Sequence, residues 1–154
     1  MISQLENTNS GKVFIVHGRN YAARDAITLF LKDQSLDVQV MQVGHHGGRT
    51  LPEKFEEMAG DCSFAVFILS ADDYLLDKLS NKEIKRARQN VILEVGYFWG
   101  LLGRRGNLAF VIEDDPLMDL PSDIQGIGWI PLTPDLGETK IRLLSELKAA
   151  KLIP

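Results

Sequence analysis

Only one cysteine, Cys62, stands among the 154 residues, so an internal disulfide is excluded and no second thiol is available for a zinc knuckle. A reducing compartment is expected, with Cys62, just ahead of an apolar run, as a structural residue. A Lys/Arg block is also missing: 17 basic side chains against 21 acidic ones leave a formal charge of −4. That balance argues against a phosphate-tracking surface and against nucleic acid as a direct partner. No apolar stretch approaches the roughly 20 residues that cross a bilayer. The start Met1-Ile2-Ser3-Gln4-Leu5-Glu6 lacks the basic and apolar regions of a secretion signal. A cytoplasmic location without membrane contact is expected. Six prolines, no internal repeat and no low-complexity tract leave an ordinary globular composition, 45% hydrophobic and 25% charged. A chain of this length buries roughly two thirds of its unfolded surface around one core. Residues 1–11 are polar and end in Asn7-Thr8-Asn9-Ser10-Gly11, a flexible leader ahead of a single domain over 12–154.

The apolar residues that are present fall into short runs. Val13-Phe14-Ile15-Val16 and Phe64-Ala65-Val66-Phe67-Ile68-Leu69 are continuous and rich in strand formers, the pattern of strands covered on both faces. Val38-Gln39-Val40-Met41, Leu108-Ala109-Phe110-Val111-Ile112 and Ile127-Gly128-Trp129-Ile130 supply three more. Between them, Ala23, Ile27, Phe30 and Leu31 recur at helical spacing over 21–34. Pro52 fits the first turn of a helix over 51–58. Residues 77–88 form a charged stretch, an apolar helix over 90–102 is closed by Gly103, and a last amphipathic helix runs over 138–150.

Strands alternating with helices predict an α/β fold with a parallel sheet, since each crossover needs a dozen or more residues and is almost always right-handed. Five strands suggest a flavodoxin-like sheet of order 2-1-3-4-5 with helices on both faces. The switch point then lies between the first and third strands, and ligands bind beyond their carboxyl ends. Two polar loops meet there: His17-Gly18-Arg19-Asn20 and Ser70-Ala71-Asp72-Asp73-Tyr74.

Glu94 is the residue out of place. It is the single charged side chain between Asn90 and Gly103, flanked by Val91-Ile92-Leu93 and Val95-Gly96-Tyr97-Phe98-Trp99. A carboxylate in such a run must be paired, protonated or directed into a cleft, because an unpaired buried charge costs several kcal/mol, roughly. Helical spacing sets Arg86, Asn90, Glu94 and Tyr97 in one polar stripe. The alternatives are a cleft wall or a simple ion pair with Arg19 or Arg88.

Residues 86–100, Arg-Ala-Arg-Gln-Asn-Val-Ile-Leu-Glu-Val-Gly-Tyr-Phe-Trp-Gly, resemble the R-A-R-x-N-V-I-x-E-x-G-x-F-x-G signature of the bacterial TIR-like predicted nucleotide-binding family, which includes the TIR portion of TIR-STING antiphage effectors. Val13-Phe14-Ile15-Val16-His17-Gly18-Arg19, Gly48-Arg49-Thr50, 64–73 and 120–126 support the resemblance, which covers about 12–132. It implies a TIR fold and, as in active relatives, hydrolysis of NAD+ to nicotinamide and a linear or cyclic ADP-ribose product. The signature glutamate, Glu94 here, would be catalytic. NAD+ would be substrate, with no further cofactor, and activity would depend on self-association and on a sensor domain or protein outside this chain. His17-Gly18-Arg19-Asn20 departs from the serine-rich turn of many relatives.

The candidate substrate-binding set is His17, Gly18, Arg19, Asn20, Gly48, Arg49, Thr50, Asp72, Asp73, Arg88 and Asn90. Gly18 N–H and Arg19 would serve the pyrophosphate. Gly47-Gly48-Arg49-Thr50 would form a flap or an ordinary flexible turn, and Asp72 and Asp73 would take ribose hydroxyls or a neighbouring arginine or serve as turn and cap residues. Adjacent His45 and His46 do not converge on one ion, so no metal is expected. A non-catalytic nucleotide-binding or scaffold module and a ribosyl transferase are the competing functions.

Overall fold

The computed structural model describes residues 11–41, 51–103 and 107–154. Residues 1–10 of the expected leader and the expected flap, with His45, His46, Gly48, Arg49 and Thr50, lie outside them.

The elements run β1 Lys12–His17, α1 Tyr21–Asp33, β2 Asp37–Val40, α2 Leu51–Ala59, β3 Phe64–Leu69, β4 Asp73–Leu76, β5 Glu83–Arg86, α3 Gln89–Leu102, β6 Leu108–Glu113, α4 Ser122–Gln125, β7 Ile130–Leu132 and α5 Gly137–Ala149. The main sheet has the order β2-β1-β3-β6-β7, parallel throughout. Counted within that sheet alone, its strands follow the expected order. Every residue of the central β3 is buried. Alternation divides its side chains: Ala65, Phe67 and Leu69 pack with Phe55 of α2, Val91, Val95 and Phe98 of α3 and Ile124 of α4. Phe64, Val66 and Ile68 pack with Ala23, Ile27 and Leu31 of α1 and Leu143 and Leu147 of α5. The continuous apolar run is thus the sum of two period-2 faces, each covered by helices. Among the described residues no helix is long and apolar enough to cross a membrane.

Two sequence expectations need correction, and the Gly103 cap holds. An antiparallel hairpin, β4–β5, spans 73–86, with its turn and second strand inside the charged stretch 77–88. Its turn is held by Asp77, whose carboxylate accepts from Ser80 Oγ and N–H, while Asn81 takes a left-handed φ of 54°, a conformation asparagine tolerates. Neither Asp73–Leu76 nor Glu83–Arg86 shows a clean apolar–polar alternation to reveal a strand. The fifth sheet strand is Ile130–Leu132 rather than 127–130, because Ile127 follows the short helix α4 and packs beside the core instead of pairing. Gly103 occupies the C-cap of α3 in a right-handed conformation. A side chain there would collide with the Trp99 indole, so small size rather than a left-handed turn accounts for glycine.

Candidate functional site

Arg88 is the N-cap of α3, and its side chain makes no capping hydrogen bond. Its inner face buries Val91, Val95, Phe98 and Leu102 against the sheet, and Glu94 falls on the same side, 5% exposed. Glu94 faces a cavity of about 440 Å³ shared with His17, Gly18, Tyr21, Arg24, Arg88, Asn90 and Val91. Neither Arg19 nor Arg88 forms an ion pair with it among the described residues. Burial pushes its carboxyl up to about 7, and the positive charge of Lys54 on α2 offsets part of that rise. A carboxylate with this value exchanges protons in the neutral range and is suited to acid–base work or to stabilising a cation. The cleft alternative therefore describes Glu94 better than the simple ion pair.

The wall opposite Glu94 is the β1–α1 turn. Asn20 accepts from Ala23 N–H at 3.1 Å and caps α1, which commits its side chain to the helix terminus. His17 lies with Nδ1 2.7 Å from the Gly18 carbonyl and Nε2 3.1 Å from the Met41 carbonyl, so its ring braces the ends of two neighbouring strands. Asp72 ties this turn to the end of β3: its carboxylate accepts from Arg19 N–H at 2.9 Å and from Ser70 Oγ at 2.7 Å. Gly18 packs so tightly on Asp72 Oδ2 that a Cβ would overlap it.

A second cavity, about 730 Å³, is lined by Arg19, Asp72, Asp73, Tyr74, Leu75, Arg86, Ala87, Gln89, Ile92, Asp119, Leu120 and Pro121. It is the larger space, but the perturbed carboxylate opens into the smaller one, and chemistry is assigned there. The expected site residues are accordingly divided. His17, Gly18, Arg88, Asn90 and Glu94 share the smaller cavity, whereas Arg19, Asp72 and Asp73 line the larger. Arg86 leaves the proposed helical stripe: it belongs to β5, where helical spacing does not apply, and pairs with Asp119 at 2.7 Å. Tyr97 packs on Phe55 and Phe98.

Sequence reasoning missed Tyr21 and Arg24 in the smaller cavity, where Arg24 stacks 4.8 Å from the Tyr21 ring centroid. Their signal was available: they are one helical turn apart at the start of the helix that follows β1, at the predicted switch point. Lys54 and Leu75 carried no such signal, because they are related to these cavities only through tertiary contacts.

A family model described as CAP12/Pycsar effector protein, TIR domain, matches residues 12–134, a span that contains all residues lining both cavities. The uncharacterized protein YuaY of Escherichia coli (strain K12) is 38% identical over 141 residues, covering 92% of this chain and 46% of that protein. Protein tirC of Dictyostelium discoideum is 33% identical over 139 residues, covering 86% of this chain and 69% of that protein. The Pycsar effector protein XpPycTIR of Xanthomonas perforans is 41% identical over 80 residues, 51% of this chain and 25% of that protein. The chain thus spans less than half the length of YuaY and about a quarter of XpPycTIR.

Proposed function

The chain belongs to the TIR-domain family of CAP12/Pycsar effectors, and on that premise we propose that it is an NAD+ glycohydrolase, cleaving the nicotinamide–ribose bond with Glu94 at the reacting carbon. The observation that carries the proposal is the buried Glu94 carboxyl opening into a 440 Å³ cavity with its pKa near 7.

Heterolysis of the C1′–N bond returns the electron pair to the pyridinium nitrogen and neutralises it, so the leaving group needs no proton donor. Positive charge then develops on C1′ and the ribose ring oxygen. An ionised Glu94, itself only 5% exposed, stabilises that charge. The water that adds at C1′ releases a proton, which a carboxylate of pKa near 7 accepts. Attack by a ring nitrogen of the distal base in place of water would give a cyclic product. In this scheme Arg19 and the Gly18 backbone meet the pyrophosphate, and Arg88 and Asn90 flank the reacting ribose. Asp72 acts as a strut because both its oxygens already accept hydrogen bonds. NAD+ is the substrate, and no resident cofactor enters the chemistry.

The biological role belongs to the same proposal: an antiphage effector domain, switched on by self-association and by a sensor on a longer chain or a second protein. The test is nicotinamide release by concentrated protein, with and without a clustering agent, beside Glu94→Gln. Release lost in that variant supports the mechanism. No release even when clustered replaces it with a nucleotide-binding or scaffold module, and an unchanged rate in Glu94→Gln removes Glu94 from the chemistry.

A further inference from the structure

The hairpin-walled cavity is a built feature of the fold. β5 is fastened to 115–119 by backbone hydrogen bonds, Lys85 N–H to Leu117 O at 2.8 Å and Asp119 N–H to Lys85 O at 2.7 Å. The Lys85–Asp115 and Arg86–Asp119 ion pairs, each 2.7 Å, add to them. Four ties at two consecutive residues hold the wall without a ligand, so a bound molecule would meet a formed cavity of about 730 Å³, within the size range of small-molecule sites.

Its apolar lining includes Ile92, Leu120 and Leu75 of the hairpin. Of its polar side chains, Asp72, Tyr74, Arg86 and Asp119 are already engaged by protein partners, which leaves three of different kinds: the guanidinium of Arg19, the carboxylate of Asp73 and the amide of Gln89. None makes a side-chain hydrogen bond or ion pair among the described residues. A cation suits a phosphate, a carboxylate accepts from vicinal hydroxyls, an amide reads the edge of a base, and an apolar slot holds its faces. Together they match one ligand class, a nucleoside monophosphate. The two cavities also adjoin: Gly18 lines one and Arg19 the other, and Arg88 and Gln89 divide in the same way.

We propose that the hairpin-walled cavity is the subsite for the distal nucleotide of a dinucleotide substrate, with Arg19 at the partition, and that it gives the domain its preference for a dinucleotide over a mononucleotide. The role of the Glu94 cavity as the proximal subsite rests on the cleavage reading above; the nucleotide site itself does not.

AMP is the probe, titrated calorimetrically into the native chain and into Leu75→Trp, which fills the cavity from the hairpin, and Gln89→Ala, which removes the amide. AMP is expected to bind, and binding to weaken by at least about tenfold in Leu75→Trp and by severalfold in Gln89→Ala. Under clustered conditions, kcat/KM for NAD+ should fall at least about tenfold in Leu75→Trp while that for nicotinamide mononucleotide stays level. Absence of AMP binding at millimolar concentration overturns the subsite, as does an equal loss on both substrates or no loss on NAD+. If neither substrate is cleaved, the AMP titrations alone decide: Leu75-sensitive binding then upholds the subsite while the cleavage reading fails.

Discussion

The Asp72 carboxylate accepts a 2.9 Å hydrogen bond from the backbone N–H of Arg19, 53 residues away, and both residues line the larger cavity while the adjoining Gly18 lines the smaller. Gly18 is the residue that lets the chain pass. A Cβ there would overlap Asp72 Oδ2, which is held in place by Arg19 N–H and whose carboxylate is also tied to Ser70 Oγ. Gly18→Ala must therefore push the carboxylate away and break those bonds, at a cost of about 1–3 kcal/mol. In an Asp72→Ala background the same substitution should cost at least about 1 kcal/mol less, read as the coupling term of a double-mutant cycle in urea. Additive effects would mean that the clash relaxes elsewhere.

Glu94 links stability to pH with a defined sign. Its native value is raised from 4.5 to about 7, so between those values the native state binds more protons than the unfolded chain. Stability then falls as pH rises, and above pH 7 the buried charge costs about 3 kcal/mol. Glu94→Gln removes that cost. The variant is expected to be more stable than the native chain at pH 8, by up to about 3 kcal/mol, with the gain shrinking towards zero near pH 4.5. A gain independent of pH would show that the carboxylate is solvated.

The same group sets a rate profile. If the ionised carboxylate is the working form, kcat/KM for NAD+ rises with pH and levels off above a midpoint near 7. Lys54 lowers the Glu94 value through its charge, so Lys54→Met should move that midpoint upward. A profile flat from pH 5 to 9 in both proteins would separate Glu94 ionisation from turnover.

The hairpin tether can be loosened without touching the sheet. Lys85→Ala deletes the pair with Asp115 but keeps the backbone bonds to Leu117 and Asp119. Amide hydrogen exchange over 73–86 should accelerate, while global stability falls by less than about 1 kcal/mol, since the pair is partly exposed. Unchanged exchange would show that the backbone ties alone hold the wall.

Strand and helix order was legible in the chain because β1, β3 and β6 are covered on both faces and spell continuous apolar runs, while the helices repeat at 3.6 residues. Glu94 was legible for the complementary reason: one carboxylate in an apolar helix is an energetic anomaly that its neighbours in sequence cannot relieve. The hairpin was hidden because polar residues such as Lys85 and Arg86 find their partners, Asp115 and Asp119, 30 and 33 positions away. Arg86 was misread for the same reason, its distance from Glu94 having been counted along a helix that starts only at Gln89. The sequence by itself determined the layered α/β core and marked one unstable charge, because periodicity and desolvation act through near neighbours. Only the tertiary structure decided that this charge opens into a cavity beside His17, that Asp72 lines a second cavity, and that the hairpin walls the latter, because these arrangements depend on distances between residues far apart in the chain.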